Sequence, residues 1–465
     1  MSVDLTDLLH DVAVLHRFAD FIDEYCKAQE RSQTYADSSG KFFKYVEDLC
    51  SGIKKELSSQ VELAGRFPRR LNILRNNARI LKDYLRSLHE LIKPAADAHT
   101  LTTPAPLVEL ATDQLQKVRS MRGSEVVVLL TPEFMYFQIP HTEIKNQGRL
   151  VEKFIIPGAQ FPPKMGFIEL PYSQGTSFFS NLVIYHEIGH FLYQELSNPD
   201  SQHKGFSDLN NAIIRSVKRA LAGSRSKDRQ VFAVVQKYIE SWTQEIFCDL
   251  FAIRLVGPAF SLSLIEMLGM LDLLEDESSI RFYPSHPAPA FRLAEHLKML
   301  QNDSWWESFP GVDPRQKQVL ERLAKLPRSK YRFYFDENKP GPRILVSAFL
   351  DNVVPKIRDL VHEVTASAAS STRRFADDRP TVERCLMAGV VPHSQDGAPL
   401  DPISIINASF LFYLTSLPDL IKKFEGEGAQ RKVEVYSKWA RRLELWTMKA
   451  IDDSILYERF RRLKG

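Results

Sequence analysis

Apolar residues recur every three or four positions over the first ninety residues of the chain: Leu5, Leu8, Leu9, Val12, Leu15, Phe18 and Ile22, then Phe43, Val46, Leu49 and Ile53. That spacing lines one face of a helix. It predicts three or four helices, interrupted by loops at 37–40 and around Pro68. They end near Pro94 and the 100–106 stretch, where two prolines and three threonines cluster. After Ser124 the texture changes to short β-branched or aromatic runs bounded by proline and glycine: VVVLL at 126–130, FII at 154–156 and GFIEL at 166–170. These are expected to form strands of a small sheet. Helical spacing returns at 181–195, with Ser180 or Asn181 as the expected cap. A polar loop at 197–206, a helix near 209–221, a loop at 223–228 and a long helix over 231–255 follow. Beyond Lys298 the pattern is again helical, with loops at 303–313, 336–342, 367–372 and 392–402 and a last amphipathic helix over 432–463. The fold class expected is α+β, mainly α-helical. Its three expected parts are an N-terminal helical region at 1–100, a mixed domain at 101–300 and a C-terminal helical region at 301–465.

Length and composition narrow the class. A chain of 465 residues is long enough to bury at least one large core. Its apolar, aromatic and charged fractions are those of a globular protein. The formal net charge of +3 comes from nearly balanced acids and bases, without the basic stripe of a nucleic-acid binder. Four cysteines (Cys26, Cys50, Cys248, Cys385) without a CxxC pair argue against a disulfide framework and for a reducing compartment. The early acids of MSVDLTDLLHDVAVLHRF do not read as a secretory signal. No stretch reaches the apolar length of a membrane span: the closest, 403–417, is broken by Asn407, Ser409 and Thr415. The expected location is cytoplasmic, with no membrane span and no nucleic-acid partner.

The string Tyr185-His186-Glu187-Ile188-Gly189-His190 carries the most chemistry. Positions i and i+4 of a helix share a face, so both imidazoles can reach one ion. Glu187, next to the first histidine, is placed to take a proton from water at the open side of such an ion. A bland alternative is two unrelated histidines on an ordinary helix.

A third ligand is sought on another element, and the segment 242–252 offers Glu245 and Asp249 one helical turn apart among Ile246, Phe247, Cys248, Leu250 and Phe251. Burying two acids there is costly unless a cation or strong donors meet them. A zinc ion at Glu245 and a histidine N–H at Asp249 would meet both. Otherwise the acids simply face solvent. His203 is the alternative third ligand, and Cys248 reads as a buried structural cysteine. Further on, in the stretch from Ser285-His286-Pro287 to Arg292, His286 and Arg292 could donate hydrogen bonds to an oxyanion, or the stretch could be a loop followed by a helix with a solvated arginine. Trp305 and Trp306 read as a packing anchor, and Tyr172 as a residue able to polarise a carbonyl.

HEIGH, then ExxxD on a later helix, then HPxxxxR, resembles the motif order of gluzincin metallopeptidases, in particular those similar to the CAAX prenyl endopeptidases and their soluble relatives. The resemblance spans 166–296. It implies a zincin-like catalytic core, with zinc ligands His186, His190 and Glu245, a catalytic base Glu187, and Asp249 supporting a ligand histidine. It also implies that His286 and Arg292 lie near the scissile carbonyl. It further implies that 166–173 is an edge strand to which an extended substrate adds. The long gap from His190 to Glu245 requires an inserted helix.

The function expected is zinc-dependent hydrolysis of peptide bonds in a protein or peptide substrate inside the cell. The helical regions on either side are available to a regulatory protein partner. The alternative is a non-catalytic helical interaction protein with a structural zinc site.

Overall fold

A computed structural model describes residues 5–32, 38–100, 105–131, 137–139, 151, 165–171, 177–198, 203–222, 229–271, 273–275, 278–307, 315–336, 339–341, 343–395, 398–422 and 429–464. The expected strand at 154–156 and Tyr172 lie outside these residues. The chain is mainly α-helical, and it divides into two compact units. Residues 1–103 and 123–175 form the first, and residues 104–122 and 176–465 the second.

In the first unit the helical periodicity becomes three long helices, α1 (Leu5–Ser32), α2 (Ser38–Arg66) and α3 (Leu71–Thr100). Val12, Leu15, Ala19 and Ile22 of α1 are buried with Phe43, Val46, Leu49 and Ile53 of α2 in one core. Two expected interruptions differ. Ser38 to Gly40 already belong to α2, and α3 runs through Pro94 to Thr100. A proline inside a helix removes one backbone bond; here Leu91, Ile92, Ala95, Ala96 and Ala98 are all buried around it, so packing outweighs that loss.

The sheet of this unit has strand order β1-β3-β2, from β1 (Glu125–Thr131), β2 (Phe137–Ile139) and β3 (Met165–Pro171). β1 runs parallel to β3 and β2 antiparallel to it. The run at 166–170 is therefore a central strand, which corrects its expected role as an edge strand open to substrate. The reason is legible in its burial: every residue from Met165 to Pro171 except Glu169 is buried, the mark of a strand covered on both faces. Phe42 of α2 meets Phe167 edge-on, with ring centroids 5.2 Å apart.

The second unit begins with α4 (Ala105–Lys117) and resumes with a short 3-10 turn, Ser180–Val183, leading into α5 (Ile184–Ser197). The cap expected at Ser180 or Asn181 is not made; Asn181 instead donates to the Ser177 carbonyl. Next come α6 (Lys204–Leu221), α7 (Arg229–Val256), α8 (Pro258–Met270), β4 (Arg281–Phe282) and α9 (Pro289–Asn302). The rest is α10 (Arg315–Ala324), β5 (Arg332–Asp336), β6 (Lys339–Pro340), α11 (Arg343–Asn352), α12 (Val354–Thr365) and α13 (Thr372–Met387). A two-residue hairpin, β7 (Ser394–Gln395) with β8 (Ala398–Pro399), precedes α14 (Pro402–Leu414), α15 (Ser416–Lys422) and α16 (Ala429–Lys464).

β4 pairs in parallel with β5, so secondary structure crosses the division expected at residues 300 and 301. The helices after 301 share a unit with α5 because α7 needs their side chains around it. Trp242 of α7 packs edge-on against Phe282, Phe333 and Phe349 at centroid distances of 5.0, 5.5 and 5.4 Å. The apolar stretch at 403–412 is buried throughout, as a core helix. Among the described residues no helix is long and apolar enough to cross a membrane. All four cysteines are free thiols.

The junction of α7 and α8 holds the second half of α7 in place. Gly257 takes φ 83°, and a Cβ there would come within 3.0 Å of the Trp305 ring, so glycine is required both by conformation and by space. With no side chain to cap α8 at that position, Asn407 of α14 supplies the missing partners. Its Oδ1 accepts from Ala259 N at 2.9 Å, and its Nδ2 donates to the Val256 carbonyl at 2.6 Å. Replacing Asn407 by Leu leaves two buried backbone groups unpaired, each costing about 1–3 kcal/mol. Urea unfolding should report a loss of about 2–4 kcal/mol for Asn407→Leu; an unchanged midpoint would show that the junction is held some other way.

Candidate metal centre

Helix α5 carries the HEIGH string on a face that is almost wholly buried. Tyr185, His186, Glu187 and Gly189 are buried and His190 is half-buried. Helix α7 lies directly against it. A Cβ on Gly189 would stand 2.8 Å from Cys248 Cα, closer than real carbon atoms approach, so the fourth residue of the string has to lack a side chain. This contact lets the imidazoles of His186, three residues before Gly189, and His190, directly after it, reach the acids of α7.

The donors converge. His186 Nε2 and His190 Nε2 are 3.1 Å apart. Glu245 Oε2 lies 3.5 Å from His186 Nε2, and Oε1 lies 3.5 Å from His190 Nε2. A tetrahedral zinc site with bonds of about 2.0–2.1 Å has ligand–ligand edges of about 3.3–3.4 Å. The two imidazoles and the carboxylate stand close to those separations, Glu245 offering a different oxygen to each ring. On the far side of His186, Nδ1 donates to Asp249 Oδ1 at 2.9 Å, which fixes the ring and turns Nε2 toward Glu245.

Cys248 Sγ also falls within 4.8 Å of donor atoms on both histidines, so a His186, His190 and Cys248 set competes with the Glu245 set. Their charges differ. Glu245 is ionised: burial pushes its carboxyl upward, but His186, Arg292 and His190 hold it well below the usual carboxylate range. Burial, with the charge of Glu245 beside it, drives the Cys248 thiol well above its ordinary value. Glu245 is already an anion, whereas Cys248 has to give up its proton when an ion binds, which favours the Glu245 set.

The two histidines titrate in opposite directions. Burial depresses His186, but bonds and charge from Asp249 and Glu245 overcome it and push its pKa to about 10. Burial together with the charge on His186 lowers His190 to about 4. The pair thus carries one positive charge, on His186, whose Nε2 proton would leave when an ion binds there.

Asp249 is the hub behind this pair. Arg292 grips it with Nε to Oδ2 and one Nη to Oδ1, both at 2.7 Å, and His296 Nε2 lies 3.2 Å from Oδ2. Burial would raise the Asp249 carboxyl; Arg292, His296 and His186 hold it well below its ordinary value. Arg292 also points its other Nη at Glu245 Oε2, 3.5 Å away. Arg292 is buried, and its donors are turned to the two acids of α7 rather than outward, as a donor to a substrate oxyanion would be.

His286 is different. Its side chain is 59% exposed, and Nε2 stands 3.9 Å from Glu245 Oε2 at the rim of the cluster. The loop carrying it is pinned where Trp242 Nε1 donates to the Tyr283 carbonyl, and where Tyr283 N donates to the His286 carbonyl. His203, the alternative ligand, instead faces Glu363 at 3.9 Å from the start of α6.

Sequence reading missed His296. It stands one turn after Arg292 on α9, fully buried, and this i, i+4 repeat was its only signal. Comparisons with protein-family models, curated proteins and solved structures found no match. The likeness to gluzincins rests on the motif residues alone.

The close approach of α5 and α7 makes a sharp prediction. Gly189→Ala places a methyl group against backbone, so the helices must separate, at a cost of about 1–3 kcal/mol. Denaturant titration of Gly189→Ala beside wild type measures it, and equal midpoints would show that the approach is not tight in solution.

Proposed function

We propose that the chain is a zinc-dependent metallopeptidase of the gluzincin type, hydrolysing peptide bonds of a protein or peptide substrate from a zincin-like core. One observation carries this reading: two imidazole nitrogens and an ionised carboxylate converge at 3.1 to 3.5 Å beside Glu187. His186, His190 and Glu245 are the ligands. Bound there, zinc would supply a Lewis acid able to polarise a carbonyl and to make water acidic near neutral pH.

The protein's own groups do the rest. Glu187 follows a ligand histidine and is buried, so its carboxylate acts in a site of low dielectric. It accepts the proton of the attacking water and returns it to the nitrogen of the cleaved bond, regenerating the carboxylate. Asp249 holds His186 in the orientation that presents Nε2. Arg292 holds Asp249 through two hydrogen bonds and is a positioning residue, with His296 beside it. His286, exposed at the rim, is the group best placed to donate to the oxygen that gains charge in the transition state.

The buried thiol of Cys248 favours a second reading, in which a His186, His190 and Cys248 set holds a structural zinc and the chain is a helical interaction protein. Two measurements separate the readings. Elemental analysis of purified protein should give about one zinc per chain in wild type, Glu187→Gln and Cys248→Ser, and clear loss in Glu245→Ala. Hydrolysis of a fluorescent casein substrate should fall by about 100-fold or more in Glu187→Gln. Zinc that is lost in Cys248→Ser but kept in Glu245→Ala, or hydrolysis indifferent to Glu187, would overturn the peptidase reading.

A further inference from the structure

The first unit carries a second feature that the metal centre does not use. A cleft of about 610 Å³ lies between α1 and α3, with Val14, Leu15 and Phe18 of α1 on its apolar side. Its other side is a row of cations on α3: Arg75, Arg79, Lys82 and Arg86. The steps of four, three and four residues keep all four within an arc of about 60° and spread them over about 16 Å of helix. All four are exposed. Among the described residues none of them has a carboxylate partner, and Arg79 has only the side-chain oxygen of Asn76, at 3.3 Å.

Several other cations on α1 and α2 are paired. Lys54 meets Asp20 and Asp23, Lys27 meets Asp23, and Arg66 meets Glu62. An unpaired row of like charges is self-repelling, and here it flanks an apolar strip. That strip is exposed at Val14 and continues to Phe21, which is 53% exposed and meets the His89 ring with centroids 6.0 Å apart.

We propose that the α1–α3 cleft is a docking site for an acidic amphipathic helix of a partner protein. The fit is one of period as well as charge. The cations repeat at helical spacing and the apolar strip at Val14 and Phe18 advances by one turn. A partner helix with an apolar face and a row of Glu or Asp at i, i+4, i+7 and i+11 therefore meets both rows at once. A flat membrane surface would not enter the cleft, and a nucleic acid would leave the apolar side uncovered.

The test uses the full chain and a fluorescein-labelled 20-residue helical peptide of Leu and Glu, with leucines on one face. Its controls are the same peptide with Lys for Glu, vesicles of phosphatidylcholine with phosphatidylserine, and a 20-nucleotide single-stranded RNA. Fluorescence anisotropy should show the Glu peptide binding with an affinity that falls steeply with salt. Binding should weaken about tenfold or more in R79E/R86E and also in Val14→Asp. The substituted residues are exposed, and circular dichroism confirms folding. The proposal is overturned if the Glu peptide fails to bind, if it binds R79E/R86E or Val14→Asp as well as wild type, or if vesicles or RNA bind through the same residues as tightly.

Discussion

The approach of α5 to α7 at Gly189 is the constraint on which the candidate centre depends. With Cys248 Cα only 2.8 Å from where a Gly189 Cβ would stand, the helix axes come close enough for His186 and His190 to straddle the acids of α7. Any side chain at position 189 would push those imidazoles outward, and the convergence of donors would be lost. The surroundings enforce the approach from the other side. Trp242 is locked in an aromatic cluster one turn before Glu245, and Asn407 closes the α7–α8 junction after Asp249.

Charge is the second constraint. Glu245 and Asp249 are both buried and both ionised, which a low-dielectric interior penalises heavily unless cations are present. Arg292 grips Asp249 at two points and reaches toward Glu245, while His186 carries the proton that completes the balance. The cluster is thereby stable as a charge network, and its geometry is set before any ion enters. Preorganisation of this kind is what a metal site with a defined open side needs.

Much of this was legible in the sequence, and the reasons it was legible are physical. The i, i+4 spacing of His186 and His190 forces one face, and two acids one turn apart among large apolar residues demand partners. His186 with Glu245, and Asp249 with the other nitrogen of His186, follow from that. What the sequence did not disclose depends on contacts across helices. The i, i+4 pair Arg292 and His296 turns inward to Asp249 because α9 packs its apolar face on α7, and only His286 stays at the rim. The order of the small sheet was equally hidden, since a short apolar run does not say whether one neighbour or two will flank it. Burial on both faces made β3 central. The units also divide the chain differently from its texture, because β4 pairs with β5 across residue 300 and the aromatic cluster around Trp242 draws on residues from both sides of it.

In the proposed centre Glu245, and not Cys248, completes the set begun by the two histidines. X-ray absorption at the zinc edge of the zinc-loaded chain tests it directly. Zinc held by His186, His190 and Glu245 gives nitrogen and oxygen scatterers alone at about 2.0–2.2 Å, with the more distant scattering of two imidazoles. A sulfur scatterer at about 2.3 Å would contradict it and assign the centre to Cys248.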